Sequence, residues 1–151
     1  MKLSYLVAIL FAIFFVSCGP SRMEIFEEDK ASIINYLEEN NLIDDAQVTD
    51  SGIYYIILAE GNDVIPGLND KVKCNYKGYL PDETIFDQGT GVSFTLGGTI
   101  EGWRQGIPLI GEGGSIKLFI PSELAYGKDG SGPQIGANQE IFFDVDLIKV
   151  N

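Results

Sequence analysis

From Ser51 to the C-terminus, apolar and polar residues alternate in short runs, with the period of two that lines one face of a half-buried strand. Five runs stand out: "GIYYIILAE" from Gly52, "KVKCNYKGYL" from Lys71, "VSFTL" from Val92, "SIKLFIP" from Ser115 and "EIFFDVDLIKV" from Glu140. The second places Val72, Cys74 and Tyr76 on one face, and the fourth places Ile116, Leu118 and Ile120 on one side. The last turns Ile141, Phe143, Val145 and Leu147 inward, with Phe142, Asp144 and Asp146 on the other face. Between the third and fourth runs lies "IEGWRQGI", a short helix candidate that holds the only tryptophan, Trp103, between Gly102 and Gly106. Glycine costs a helix interior about 1 kcal/mol relative to alanine, so this helix needs support from outside itself. Strands enclosing one short helix predict an α+β domain.

Upstream, "EEDKASIINYLEENNL" spaces Ile33, Ile34 and Leu37 for one helix face, with Glu27, Glu28 and Asp29 at the favourable end of the helix dipole. At about 15 residues it is too short for a stable coiled coil alone. It is suited to pack on the main domain or to make a weak dimer contact. Ahead of it, Lys2 and an apolar run from Ser4 to Val16 have the form of a secretory signal. The run is short for a bilayer crossing, which takes about 20 residues. "FVSCG" resembles a bacterial lipobox, although Phe15 stands where leucine is usual; the match makes Cys18 the lipidated residue at the start of the mature chain. The resulting division is a signal peptide over 1–17, a tether over 18–26, an N-terminal helical segment over 27–46 and the main domain over 47–151. This implies a bacterial envelope protein, lipid-anchored at an outer membrane and facing the periplasm.

Composition narrows the chemistry. The net charge of −12, from 22 acidic and 10 basic residues, repels phosphate backbones and excludes nucleic acid as partner. With no histidine, the usual general base, nucleophile activator and commonest zinc ligand are missing. The two cysteines, Cys18 and Cys74, cannot build a thiolate cluster, and Cys74 reads as a small core residue of its strand. "GEGGS" from Gly111 lacks the lysine of a phosphate-binding loop, and "KDGSG" from Lys128 lacks the acidic spacing of a calcium loop. Catalysis, if any, falls to carboxylates, tyrosines or shape.

A scattered aromatic set remains: Tyr76, Phe86, Trp103, Tyr126 and Phe143. Core packing accounts for each of them singly. Their order, with "NYKGYLPDETIFDQG", "FTLGGTIEGWRQGIPLIGEGGSIKLFIPSELAYG" and "IGANQEIFFDVDLIKV", closely resembles the FKBP-type peptidyl-prolyl cis–trans isomerases over about Ser51 to Asn151. The resemblance implies a five-stranded antiparallel sheet, curled as a half barrel around one short helix, with Trp103 as the floor of an apolar pocket. It implies Asp87, Tyr126, Trp103 and Phe143 as catalytic residues, and Tyr76, Phe86, Val92, Ile100 and Ile135 as substrate-binding ones. Val92 and Ile135 would be peripheral, with Val92 standing where an aromatic is common. The implied activity is rotation about X-Pro bonds of exported proteins, with no cofactor or metal, by a monomer acting on proline-containing polypeptides. A non-catalytic proline-binding or chaperone module anchored to the envelope is the alternative. The 13-residue stretch from Gly127 to Gln139 leaves no room for the inserted domain that chaperone members of the family often carry.

Overall fold

The computed structural model describes residues 19–151. The signal segment 1–17 and Cys18 lie outside the described residues. The elements in chain order are α1 (Arg22–Glu39), β1 (Gln47–Val48), β2 (Tyr54–Ala59), β3 (Lys71–Tyr79), β4 (Ile85–Thr95), α2 (Glu101–Gly106), β5 (Ser115–Ile120) and β6 (Ile141–Val150), with short 3-10 turns between them. All strand pairs are antiparallel, in the order β1-β2-β5-β6-β3-β4.

The sheet therefore has six strands, not the five expected. The addition is β1, whose two residues pair with Tyr55 and Tyr54 and are too few to show a period in the sequence. β4 also starts at Ile85, seven residues before the predicted "VSFTL". Its first half, "IFDQGTG", has no clean alternation because its ladder with β3 slips twice, between Cys74 and Tyr76 and between Gly78 and Tyr79. Such bulges bend a strand and increase its twist, and they curl this end of the sheet. At the first slip Gly91 takes φ +65°, and its N–H donates to the Asn75 side chain at 2.9 Å.

On the concave face, Val72, Cys74, Ile116, Leu118, Ile120, Ile141, Phe143, Val145 and Leu147 bury a core against Trp103, Ile107 and Ile110. These are the inward positions predicted from alternation. Cys74 is a free, buried thiol whose pKa burial pushes up to about 11, as suits a packing residue.

The glycines around Trp103 have their reason here. A Cβ on Gly102 would meet Ile120 Cγ2 at 2.5 Å, and one on Gly106 would meet the Leu118 methyls at 2.7 Å. Positions i and i+4 share a helix face, and Leu118 and Ile120 share a strand face. The glycine stripe lets α2 lie directly on β5, which supplies the support that six residues of weak helix lack.

The convex face carries a second core. Ile33, Tyr36 and Leu37 of α1 pack on Ile56, Tyr79, Phe119 and Phe142, with Tyr36 and Phe142 ring centroids 4.8 Å apart. Of the two roles open to the N-terminal helix, packing on the domain is the one observed. Its start differs from expectation: α1 opens at Arg22, so of the described residues in the predicted tether only Gly19 to Ser21 precede the helix. Ser21 and Glu24 form a reciprocal capping box, a signal present in the sequence as "SRME".

Candidate active site

Where α2 meets the curled end of the sheet, an open cavity of about 390 Å³ is lined by Tyr76, Asp87, Phe94, Gly98, Thr99, Ile100, Trp103, Tyr126 and Phe143. Its floor is made of rings held edge to face. Trp103, 4% exposed, has Phe143 at 5.3 Å, Tyr76 at 5.5 Å and Phe94 at 5.5 Å between centroids, with interplanar angles of 79°, 84° and 82°. Edge-to-face pairs of this kind contribute about 0.5–1.5 kcal/mol each beyond area burial, so the floor is stiff. Its indole N–H is the one buried side-chain polar atom among the described residues that lacks a hydrogen-bond partner.

Polar groups stand at the rim. The Tyr76 hydroxyl donates to Asp87 Oδ2 at 2.9 Å. Burial, then this carboxylate, pushes the Tyr76 pKa up to about 12, which keeps the phenol protonated as a donor. Burial, then the Asp87 charge, also raises Tyr126. The Tyr126 hydroxyl makes no hydrogen bond among the described residues, and the residue is 38% exposed. The Ile100 N–H likewise donates to no backbone carbonyl; Ile100 is the N-cap of α2, where first-turn donors lie outside the helical ladder. Both residues line the cavity.

The structure brings eight of the nine expected site residues around this region in two adjoining hollows, with Asp87 and Tyr126 common to both. Tyr76, Asp87, Ile100, Trp103, Tyr126 and Phe143 line the main cavity. Phe86 and Ile135 line the second, with Asp87 and Tyr126; Phe86 also sets its ring 5.6 Å from Phe143. Gly78 makes that contact possible, since a Cβ there would strike both rings at 2.7–2.8 Å. That leaves Val92 as the exception, and eight residues in place.

Val92, expected at the periphery, stands apart from these eight. It lines neither hollow. It stands on the edge strand β4, in register with Cys74 just before the slip, and its methyl covers Gly89. From the same strand it is Phe94, two residues on and opposite Val72, that lines the cavity. Alternation marks Val92 and Phe94 as the same face, so the period alone does not choose between them. A backbone donor such as the Ile100 N–H has no residue-type signature in the sequence.

Comparison with known proteins agrees with this geometry. The family model described as FKBP-type peptidyl-prolyl cis-trans isomerase matches residues 62–148. A probable FKBP-type peptidyl-prolyl cis-trans isomerase FkpA of Neisseria meningitidis serogroup B is 40% identical over 119 residues, which cover 76% of this chain and 44% of the relative. The FKBP-type 22 kDa peptidyl-prolyl cis-trans isomerase of Escherichia coli K12 is 34% identical over 133 residues, covering 85% of this chain and 65% of the relative. The chain thus spans about half to two-thirds of the length of these curated relatives. The crystal structure of a peptidyl-prolyl cis-trans isomerase from Pseudomonas syringae pv. tomato DC3000 superposes with a TM-score of 0.74 at 27% identity, covering 89% of this chain and 98% of the other. With the family model matching more than half of its length, the chain belongs to the FKBP-type peptidyl-prolyl cis-trans isomerases.

Proposed function

We propose that this chain accelerates cis–trans rotation about X-Pro bonds of polypeptides, and that it does so in the cavity over Trp103. The observation that carries the reading is the pairing of a buried three-ring enclosure of Trp103 with two free donors, Tyr126 Oη and Ile100 N–H, at its rim. A prolyl ring is apolar and fits such a floor. The amide it belongs to needs no proton transfer to rotate. Its barrier of about 18–20 kcal/mol comes from lost resonance, and the planar amide is more dipolar than the twisted one. A dry aromatic site therefore disfavours the planar form relative to the twisted one, and a cavity shaped for the twisted imide binds it best.

The residues divide the work. Trp103 and Phe143 hold the ring, Phe94 and Tyr76 close the floor behind them, and the Tyr126 hydroxyl and Ile100 N–H bind flanking carbonyls. Asp87, fixed by Tyr76, lies beside the twisting carbonyl, and Phe86 and Ile135 receive the neighbouring residue. Lowering the barrier by about 5–6 kcal/mol would raise the rate roughly 10⁴-fold. Exchange between the cis and trans resonances of a Leu-Pro peptide tests this: the full chain at catalytic concentration broadens or exchanges both sets. Saturable binding without added exchange would instead favour the non-catalytic proline-binding module.

The same proposal includes a lipid on Cys18. "FVSCG" supports it, and a multiply acylated cysteine holds a protein at a bilayer without a spanning helix. The isomerase domain would then work in the cell envelope, close to the membrane. Cys18→Ser should release the chain from the membrane fraction while leaving the isomerisation rate unchanged. A native chain whose mass shows an unmodified Met1 start would contradict it.

A further inference from the structure

The segment between β5 and β6 carries Tyr126 and Ile135, and it has little regular structure beyond two 3-10 turns, Ser122–Leu124 and Gly127–Asp129. Both of its ends are fastened to one turn of α1, on the far side of the sheet from the cavity. At the entry, Asp29 Oδ2 accepts from the Ser122 backbone N–H at 2.7 Å and from its hydroxyl at 2.6 Å. At the exit, the Ser32 hydroxyl donates to Glu140. Asp29 and Ser32 are three residues apart and share a helix face.

These contacts are out of water: Asp29 is 4% exposed, Ser122 0% and Glu140 8%. A carboxylate in such a place loses hydration that two hydrogen bonds only partly replace. The apolar stripe of Ile33, Tyr36 and Leu37 already holds α1 to the sheet, so cohesion does not require an aspartate there. From Asp29 a chain of backbone bonds leads on to the site. Leu124 N–H donates to Pro121 O and Ala125 N–H to Ser122 O, each at 3.0 Å, and Tyr126 follows directly. Beyond it, Asn138 N–H donates to Gly127 O at 2.8 Å and closes the loop's neck.

We infer that Asp29 is a positioning residue for the isomerase site: by holding Ser122 at the root of the loop, it sets where the Tyr126 hydroxyl stands over the cavity. Ser32 and Glu140 steady the other end. The inference rests on the reading of Tyr126 as a carbonyl donor, and the test separates the two.

Steady-state isomerisation is measured on the full chain for Asp29→Ala, Asp29→Asn, Tyr126→Phe, the Asp29→Ala/Tyr126→Phe pair and Leu37→Ala. Asp29→Ala should lower kcat about tenfold with a smaller change in KM, since displacement of a positioned group weakens the transition state most. Asp29→Asn keeps an oxygen acceptor and should recover most of that loss. Leu37→Ala loosens the same helix without touching the loop, and should keep the wild-type rate below its unfolding transition. In the Tyr126→Phe background, Asp29→Ala should add nothing, because both remove one effect. Full additivity, or an equal loss in Leu37→Ala, would overturn the positioning role. A wild-type rate for Tyr126→Phe alone would overturn the premise instead. If Asp29→Ala does not fold, Ser122→Ala, which removes only the hydroxyl bond, carries the same comparison.

Discussion

The Tyr76 hydroxyl donates to Asp87 at 2.9 Å, across the β3–β4 ladder and at the mouth of the cavity. One bond thereby ties a carboxylate to a phenol at the rim, and burial, ahead of that carboxylate, keeps the phenol protonated. Tyr76→Phe retains the ring against Trp103 and Phe94 but frees Asp87, and should lower kcat/KM several-fold with little loss of fold. The pH dependence has a definite sign. The folded pKa of Tyr76, about 12, lies above the ordinary 10, so the folded state holds the proton longer and stability falls as pH rises through 10–12. Denaturant titrations in that range should show a shallower fall in Tyr76→Phe than in wild type.

Gly102→Ala and Gly106→Ala reverse the usual helix rule. Propensity alone would stabilise each by about 1 kcal/mol. The added methyl meets fully buried Ile120 or Leu118 at 2.5–2.7 Å, and overpacking of this kind costs about 1–3 kcal/mol. Both variants should therefore unfold at lower denaturant. A rise in the midpoint would mean that α2 does not lie on β5 as described.

Trp103→Ala should cost about 3–5 kcal/mol through the cavity it opens and abolish most isomerisation. Phe143→Tyr, which adds a hydroxyl beside the floor, should reduce the rate while leaving the midpoint nearer wild type. Chemical denaturation and kinetics on the same preparations separate the two effects.

Much of this arrangement was legible in the sequence. The inward set of β3, β5 and β6 followed from alternation, because those strands bury one face on α2 and the register leaves no choice. The aromatic order from Tyr76 to Phe143 pointed to the site through family resemblance. Other parts were not legible for physical reasons. Phe94 and Val92 share a face in unbroken register with Val72 and Cys74, so alternation does not say which side chain reaches Trp103. The tie of Asp29 to Ser122 spans 93 residues and leaves no local pattern. The start of α1 was different: it does carry a local signal, the "SRME" capping box, ahead of the acidic run at Glu27.

Glu140 offers a second pH test. Burial, ahead of its other causes, raises its pKa above the ordinary 4.5, and the nearby Asp29 charge adds to the rise. Its folded form keeps the proton longer than its unfolded form, so this group lowers stability as pH climbs from about 4.5 through the raised value. Carboxylates with lowered pKa values, Asp144 among them, act in the opposite sense, so the comparison must be with a variant. Glu140→Gln should gain stability relative to wild type on going from pH 4 to pH 7. An unchanged difference across that range would contradict the burial described for Glu140.

The most direct test of the account is the protease-coupled cis-to-trans rate of a Leu-Pro peptide, measured with the full chain and with Phe143→Tyr and Tyr126→Phe at concentrations where all three are folded. Wild type should give a rate well above buffer and each variant a reduced rate, with peptide competing for the same cavity in all of them. A folded wild-type chain that turns the bond over no faster than buffer would contradict it.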